Sequence, residues 1–219
     1  AGFLVYEHGA AAMAMGGAFV AIANNPTAVF HNPAGIAWLD GTQVSVGTTL
    51  IVPKATLSMP DAPNIPDIPF VHPDYSATYE AAKQIFYPSS FYITQKISNK
   101  IVAGFGFFSP YGLGTKWSEP NEVTFPLRFL STRDDMKSFV FNPVVAYKVN
   151  DKFSLGLGAF YILSTIEFNL VTVPEELLPY GIYEVPAAIK DGKGSGWGWN
   201  IGALYKGEKF SLGLNWRSG

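Results

Sequence analysis

No cysteine occurs among the 219 residues, which removes disulfides, thiolate nucleophiles and cysteine metal sites together. Histidine is nearly as scarce. His8, His31 and His72 are the three; none stands at i, i+4 spacing with a glutamate, and no zinc-like cluster forms. A Gly-x-Ser-x-Gly elbow is also missing. Charged residues make up only 15%, well under the roughly 25% of soluble domains. The net charge is −2, and the lysines and arginines do not gather into a patch for nucleic acid. Long apolar runs are lacking too. The longest charge-free stretch is 9–39, and its uninterrupted apolar part, 9–23, holds fifteen residues and three glycines. A spanning helix needs about 20. No basic segment precedes it, so it makes a poor signal peptide; the start, Ala1-Gly2-Phe3, reads as a mature end left after cleavage.

What is present is aromatic. Phe, Trp and Tyr reach 15%, with eleven Tyr and five Trp, side chains that pair an apolar body with a polar tip. Residues 24–39 contain Asn-Pro twice, at Asn25-Pro26 and Asn32-Pro33. Asn before Pro suits an N-cap followed by the first helical residue, so each predicts a helix of one or two turns. A further short helix is expected after Gly9, closed by Gly16-Gly17, and Asp40-Gly41 marks a turn.

From Thr42 the period becomes two. Val44 and Val46 oppose Gln43 and Ser45; Ile101, Ala103, Phe105 and Phe107 oppose Gly104 and Gly106; Leu155 and Leu157 oppose Gly156 and Gly158. Such alternation is the strand signal, and it recurs in seven segments: 42–52, 91–97, 101–107, 139–149, 153–163, 197–205 and 210–216. Tight polar turns, 98–100, 150–151 and 207–208, alternate with long connections, 53–85, 111–136 and 166–195. Short turns at one end and long loops at the other is the habit of outer-membrane barrels. One face is Phe, Leu, Val and Ile, with Tyr147, Phe153, Trp197, Tyr205, Phe210 and Trp216 near strand ends as an aromatic girdle requires. The other is Gly, Ser and Asn. Alternation would serve a soluble sandwich equally; the loop asymmetry and the low charge select the membrane. Gly104-Phe-Gly-Phe-Phe-Ser is only loosely a glycine-rich loop and precedes no helix, so nucleotide binding is not expected.

Three groups of residues carry a resemblance to the FadL-type outer-membrane transporters of long-chain fatty acids and other hydrophobic compounds. They are Asn32-Pro33-Ala34 after the Gly/Ala-rich start; Phe105-Gly-Phe-Phe-Ser-Pro-Tyr-Gly-Leu113; and Gly196-Trp-Gly-Trp-Asn-Ile-Gly-Ala-Leu-Tyr205 followed by Leu214-Asn-Trp-Arg-Ser218. The resemblance implies an all-β membrane fold, an antiparallel transmembrane β-barrel of 14 strands plugged by an amino-terminal hatch. Residues 1–41 would be the hatch and 42–219 strands one to seven. Seven strands cannot close that barrel, and open edges are not viable in lipid, so this reads as the amino-terminal half of a longer protein or one needing a second chain.

Function follows as expectation: facilitated diffusion of hydrophobic compounds across the outer membrane, with no catalytic residue, metal or cofactor. Capture would begin on apolar loop residues, Ile65, Ile68, Phe70 and Val71, then Leu170, Val171, Val173, Leu177, Leu178 and Ile182. Phe3, Val5, Phe19 and Phe30 of the hatch, with Phe107 and Phe108, would line an inner pocket. A kinked third strand, as in the family, would open a lateral gap at Gly104, Gly106, Pro110 and Gly112, since Gly weakens pairing and Pro removes a donor. Asn32 would latch the hatch to the wall. Family members that carry fatty acids hold the carboxylate with basic side chains; Glu167 stands where an Arg is expected, which favours an uncharged substrate, with Arg128, Arg133 and Arg217 as the candidates that could still reach inward. Expected partners are the substrate and outer-membrane lipid or lipopolysaccharide around a barrel that is monomeric once complete. The competing readings are an adhesive or structural surface protein with a permanently shut hatch, and a porin, which the Gly/Ser/Asn lumen face disfavours.

Overall fold

The computed structural model describes residues 5, 8–58, 78–117, 126–172, 174–181 and 185–218. After the short helices α1 (Ala10–Ala14) and α2 (Ala28–His31) and a 3-10 turn over Pro33–Trp38 come, among the described residues, ten strands. They are β1 (Thr42–Thr48), β2 (Thr56–Ser58), β3 (Thr78–Glu80), β4 (Ser89–Lys96), β5 (Ile101–Phe108), β6 (Gly114–Lys116), β7 (Arg133–Lys148), β8 (Phe153–Thr172), β9 (Val185–Lys206) and β10 (Ser211–Arg217). One antiparallel sheet runs β1-β4-β5-β7-β8-β9-β10, with β6 also on β7, while β2 and β3 pair by themselves. Among the described residues β1 and β10 are its edges. No described helix is long and apolar enough to cross a membrane.

The two faces of this sheet settle its surroundings. Val46 and Leu214 are each 75% exposed and Trp197 78%, whereas Ser154, Asn142 and Asn200 are at 0%. The greasy face is therefore outside and the polar face inside, the reverse of a water-soluble sheet and the arrangement lipid demands. Phe107 stacks on Phe139 at 5.7 Å and Tyr161 meets Trp197 at 4.7 Å on that outer wall.

The long strands exceed their sequence-based limits. β8 continues to Thr172 and β9 begins at Val185, in register apart from one bulge, so most of the connection expected over 166–195 is ladder. The first two connections also contain strands, β2 with β3 and then β6, and β7 begins at Arg133. Above the bilayer both faces of a hairpin are wet, so apolar alternation, the only local strand signal, disappears there. In the other direction β1 ends at Thr48 and is continued by a Thr49 amide bond to the Pro88 carbonyl (3.1 Å) and an isolated bridge, Ile51 to Phe86.

The amino-terminal segment, expected to form the hatch, packs on the polar face of this sheet. Asn25 Oδ1 accepts from the Thr27 amide (3.0 Å), and the Ala28 amide closes the first turn on the Asn25 carbonyl (2.9 Å). Asn32 Oδ1 accepts from the Ala34 amide (3.1 Å) ahead of a 3-10 rather than an α turn. Asn32-Pro33 thus acts as a cap with proline in the first helical position, whereas Asn25 caps the turn that leads into α2, whose first helical residue is Ala28 and not Pro26. Gly16 and Gly17, at φ 60 and 83, end the α1 turn in the left-handed region that glycine enters freely.

Candidate functional site

The hatch is held by a seat of glycines. Gly156 on β8 faces Gly202 on β9. A Cβ on Gly156 would overlap the backbone of Pro33 and Ala34, and one on Gly202 would overlap Asn32 Oδ1. On β10, a Cβ on Gly213 would run into the backbone of Val20 and Ala21. Into this seat Asn32 sends Nδ2, donating to the carbonyls of Val20 (2.8 Å) and Ala203 (3.1 Å). One amide therefore caps a turn, ties two hatch segments and bonds to the wall. Ser154 Oγ donates to the Ala34 carbonyl (2.9 Å), and Trp38 Nε1 donates to Ser154 Oγ (2.9 Å). At the short-turn end Lys148 and Lys206 lie 4.6 and 5.0 Å from the Trp38 ring, cation–π contacts of roughly 0.5–1 kcal/mol each at exposed sites.

Toward the loops the hatch meets an aromatic cage. His8 stands 4.1 Å from Phe30 and 5.1 Å from Phe108, which lie 5.1 Å apart edge to face. Phe19 abuts His31 at 5.3 Å. Arg217, inward on β10, lies 5.1, 5.7 and 4.9 Å from the rings of Phe30, Phe108 and Phe160. Its Nη2 donates to the Phe30 carbonyl and to Asn142 Oδ1, both at 3.3 Å. No carboxylate pairs with it among the described residues.

Several expected residues fall elsewhere. Phe107 points into the outer wall, because a period of two puts Phe107 and Phe108 on opposite faces, and only Phe108 is in the cage. Gly104 and Gly106 lie in unbroken β5; a Cβ there would press on Val29, Ile36 and Tyr92 at 2.9–3.0 Å. Close approach of the hatch, rather than a kink, explains them. Arg133 faces outward and pairs with Glu167 (3.0 Å). Arg128 is buried in a 3-10 turn (Pro126–Phe129) beside the Phe129 ring, so of the three arginines Arg217 alone enters the cage. Phe3 lies outside the described residues, as do Ile65, Ile68, Phe70, Val71, Val173 and Ile182 and the side chain of Leu177. Of the other loop residues Leu170 is half-buried, Val171 buried and Leu178 exposed.

The wall itself breaks at 109–113. Five residues there, Pro110 and Gly112 among them, stand opposite four, 136–139, on β7. Ser138 repairs the ladder: its amide and Oγ both donate to the Tyr111 carbonyl (2.9 and 2.7 Å), and Ser109 Oγ donates to the Ser138 carbonyl (2.7 Å). On the β4 side no described backbone hydrogen bond joins 83–88 to 109–113. The groove left there, about 510 Å³, is lined by Ile85, Tyr87, Phe107, Gly112 and Phe139 among others. From inside, the Val5 amide donates to the Pro110 carbonyl (2.8 Å). The sequence marks the break through Pro110 and Gly112; nothing in it points to Ser138 or to the Val5 contact, which join distant segments.

The hatch contains a proton-sensitive pair. His31 bonds through Nε2 to the His8 carbonyl (2.8 Å); a carbonyl only accepts, so that nitrogen carries the proton. Burial first, then His31 and Arg217, push the His8 pKa down from 6.5 to about 3. Neither His8 ring nitrogen has a hydrogen-bond partner, the Val5 carbonyl lying only near enough to favour the charged form slightly. Burial also lowers His31, partly offset by its bond to His8. Between pH 6.5 and about 3 an unseated hatch takes up a proton on His8 that the seated one refuses. Seating should therefore weaken as pH falls through that window, by up to roughly 1.4 kcal/mol per unit for one proton, and be flat above it. Hydrogen exchange of hatch amides in the full-length protein at pH 4.5 and 7.5 should show less protection at the lower value, and His8→Phe should reduce the difference. Equal protection would contradict the assignment.

A family model described as Outer membrane protein transport protein (OMPP1/FadL/TodX) matches residues 1–219. No curated protein matches. Among solved structures, a Pseudomonas aeruginosa FadL homologue superposes with a TM-score of 0.72 at 18% identity, over 100% of this chain and 53% of that one. The P. putida toluene transporter TodX gives 0.62 at 15%, over 83% and 48%. A TodX deltaS2S3 mutant, described as a monoaromatic hydrocarbon channel, gives 0.64 at 15%, over 87% and 50%. The chain spans about half the length of these structures.

Proposed function

The chain belongs to the FadL/TodX family of outer-membrane transport proteins, and from that premise we propose that it forms the hatch and half of the wall of a channel for facilitated diffusion of hydrophobic compounds. A compound captured on the loops enters the cage of Phe30, Phe108, Phe160 and His8, and leaves sideways into the bilayer through the break at 109–113. The observation that carries this route is the Val5 to Pro110 bond, which ties the amino-terminal end of the hatch to the lip of the groove. Movement of that end uncovers the opening from within, while Asn32 and Trp38 keep the rest of the hatch seated. A lateral exit suits an apolar solute, which then never crosses the aqueous space at the far side of the wall.

Arg217 favours a compound with an acidic head. A guanidinium surrounded by three rings, with no carboxylate beside it among the described residues, is costly to bury, and an alkyl or aryl carboxylate supplies the missing charge while its tail occupies the cage. This revises the expectation of an uncharged substrate drawn from Glu167, whose position lies on the outer wall.

The route is tested by sealing the break. In the full-length barrel, Pro110→Thr with Gly112→Val restores strand-forming residues at two positions of the break. Uptake of a labelled long-chain fatty acid by cells is expected to fall about tenfold or more, with the amount of folded protein unchanged on heat-modifiability gels. Normal uptake would sink the lateral route.

A further inference from the structure

On the outer wall, directly above the aromatic girdle, the character of the surface changes within one residue pair. Going toward the loops, β7 presents Phe141 and Phe139 and then Lys137, Asp135 and Arg133; β8 presents Tyr161 and Leu163 and then Thr165 and Glu167; β9 presents Trp197 and then Lys193. From Phe153 to Leu163 is about ten steps of about 3.4 Å, which at a tilt of about 40° rises about 26 Å. That matches the apolar band of about 25 Å in such barrels, so Lys137, Thr165 and Lys193, which pair across the three strands, stand at headgroup level. Because the short turns lie at the opposite end, this level belongs to the outer leaflet.

A bulge makes the surface concave. Ile166 pairs with Gly192 and Phe168 with Ile189, so Lys190 and Asp191 together oppose Glu167. Asp191 takes a left-handed φ of 53, which Asp tolerates better than most residues. The result is a hollow of about 360 Å³ lined by Asp135, Lys137, Thr165, Glu167, Lys190 and Asp191. Arg133 occupies the carboxylates from one side, at 3.0 Å from Glu167 and 3.8 Å from Asp135. Lys137 is exposed and only 3.7 Å from Asp135, while Lys190 and Lys193 are exposed with no ion pair among the described residues. With Arg133 and Lys137 engaged by Glu167 and Asp135, Lys190 and Lys193 stand against Asp191 alone, a surplus of one positive charge among the described residues.

We propose that this ledge binds the phosphorylated glucosamine headgroup of lipopolysaccharide, with Lys137, Lys190 and Lys193 on the phosphates and the acyl chains running down over Phe139, Leu163 and Trp197. The girdle beneath and the cationic rim above match an amphiphile whose charge and tails are stacked along the membrane normal. A soluble anion would gain nothing from the apolar surface. This inference rests on the outer-membrane location of the family and not on the transport route, so either can fail alone.

The test uses the purified full-length protein in detergent and the triple variant Lys137→Gln/Lys190→Gln/Lys193→Gln. Binding of bis-phosphorylated lipid A, of its dephosphorylated form and of phosphatidylglycerol is read by native mass spectrometry. The expected result is that lipid A binds the parent protein at least tenfold more tightly than either of the other two, and that the triple variant loses this preference while keeping its heat-modifiable fold. Equal binding of phosphatidylglycerol, retention of binding by the dephosphorylated form, or an unchanged preference in the triple variant would each overturn the assignment.

Discussion

Gly202→Val in the full-length barrel is expected to unseat the hatch and turn a closed wall into a conducting one. Gly202 and Gly156 form a flat seat between β8 and β9, on which Asn32, Pro33 and Ala34 rest in direct contact. Even one Cβ on Gly202 overlaps Asn32 Oδ1, and valine adds two methyls beyond it. The hatch cannot slide to make room, because Asn32 is bonded to Val20, Ala203 and the Ala34 amide at once. Overpacking typically costs about 1–3 kcal/mol, and each lost hydrogen bond about 1 kcal/mol more. At 1.4 kcal/mol per factor of ten, the seated population should drop roughly a hundredfold. The wall need not unfold, since its ladder and its lipid-facing side are untouched. Planar-bilayer recordings should show a silent parent protein and steady conductance for the variant, with both heat-modifiable. Asn32→Ala removes the bonds without the clash and should give a smaller, intermittent conductance. A silent Gly202→Val channel would mean that the seat is not what holds the hatch.

Arg217→Gln should separate two classes of substrate. The guanidinium is the cage's cation, donating to the Phe30 carbonyl and Asn142 Oδ1 and lying 5.1, 5.7 and 4.9 Å from the rings of Phe30, Phe108 and Phe160. Glutamine keeps an amide donor and the approximate length but removes the charge. A hydrogen bond to a charged group contributes about 1.5–3 kcal/mol, so binding of a long-chain carboxylate to the full-length barrel should weaken about ten- to a hundredfold. A monoaromatic hydrocarbon has nothing for the guanidinium to bond, and its affinity should stay within about twofold. Titration calorimetry with both ligands reads the contrast directly. Equal losses would assign Arg217 to packing alone; no loss for the carboxylate would return the substrate to the uncharged class.

Most of the wall was legible. The alternation of Leu155 and Leu157 with Gly156 and Gly158 gives the faces of β8 without any knowledge of its neighbours, and the lipid-facing positions of Val46, Trp197 and Leu214 follow in the same way. The upper halves of β8 and β9 were not legible, because their hairpin leaves the bilayer and no apolar rhythm marks it. In the candidate site, Phe30, Phe108, Asn32 and Pro110 were recognisable from local chemistry. Phe107 could have been set aside on its parity alone. Ser138, His8 and the glycine seat needed the fold, since a serine in a strand or a glycine opposite a glycine carries no local sign of what it touches.

By itself, then, the sequence determined that this chain is a membrane-facing antiparallel wall with an apolar, twice-capped segment ahead of it. The physical reason is that a bilayer imposes its pattern residue by residue: a period of two, low charge and aromatic ends are local properties, readable wherever the strand lies. Only the tertiary structure decided which glycines seat the hatch, where the wall opens and which arginine faces the cage. Those depend on register between strands and on contacts such as Asn32 with Ala203 and Phe30 with Arg217, made between residues far apart in the chain, where a shift of a single residue turns every side chain to the other face.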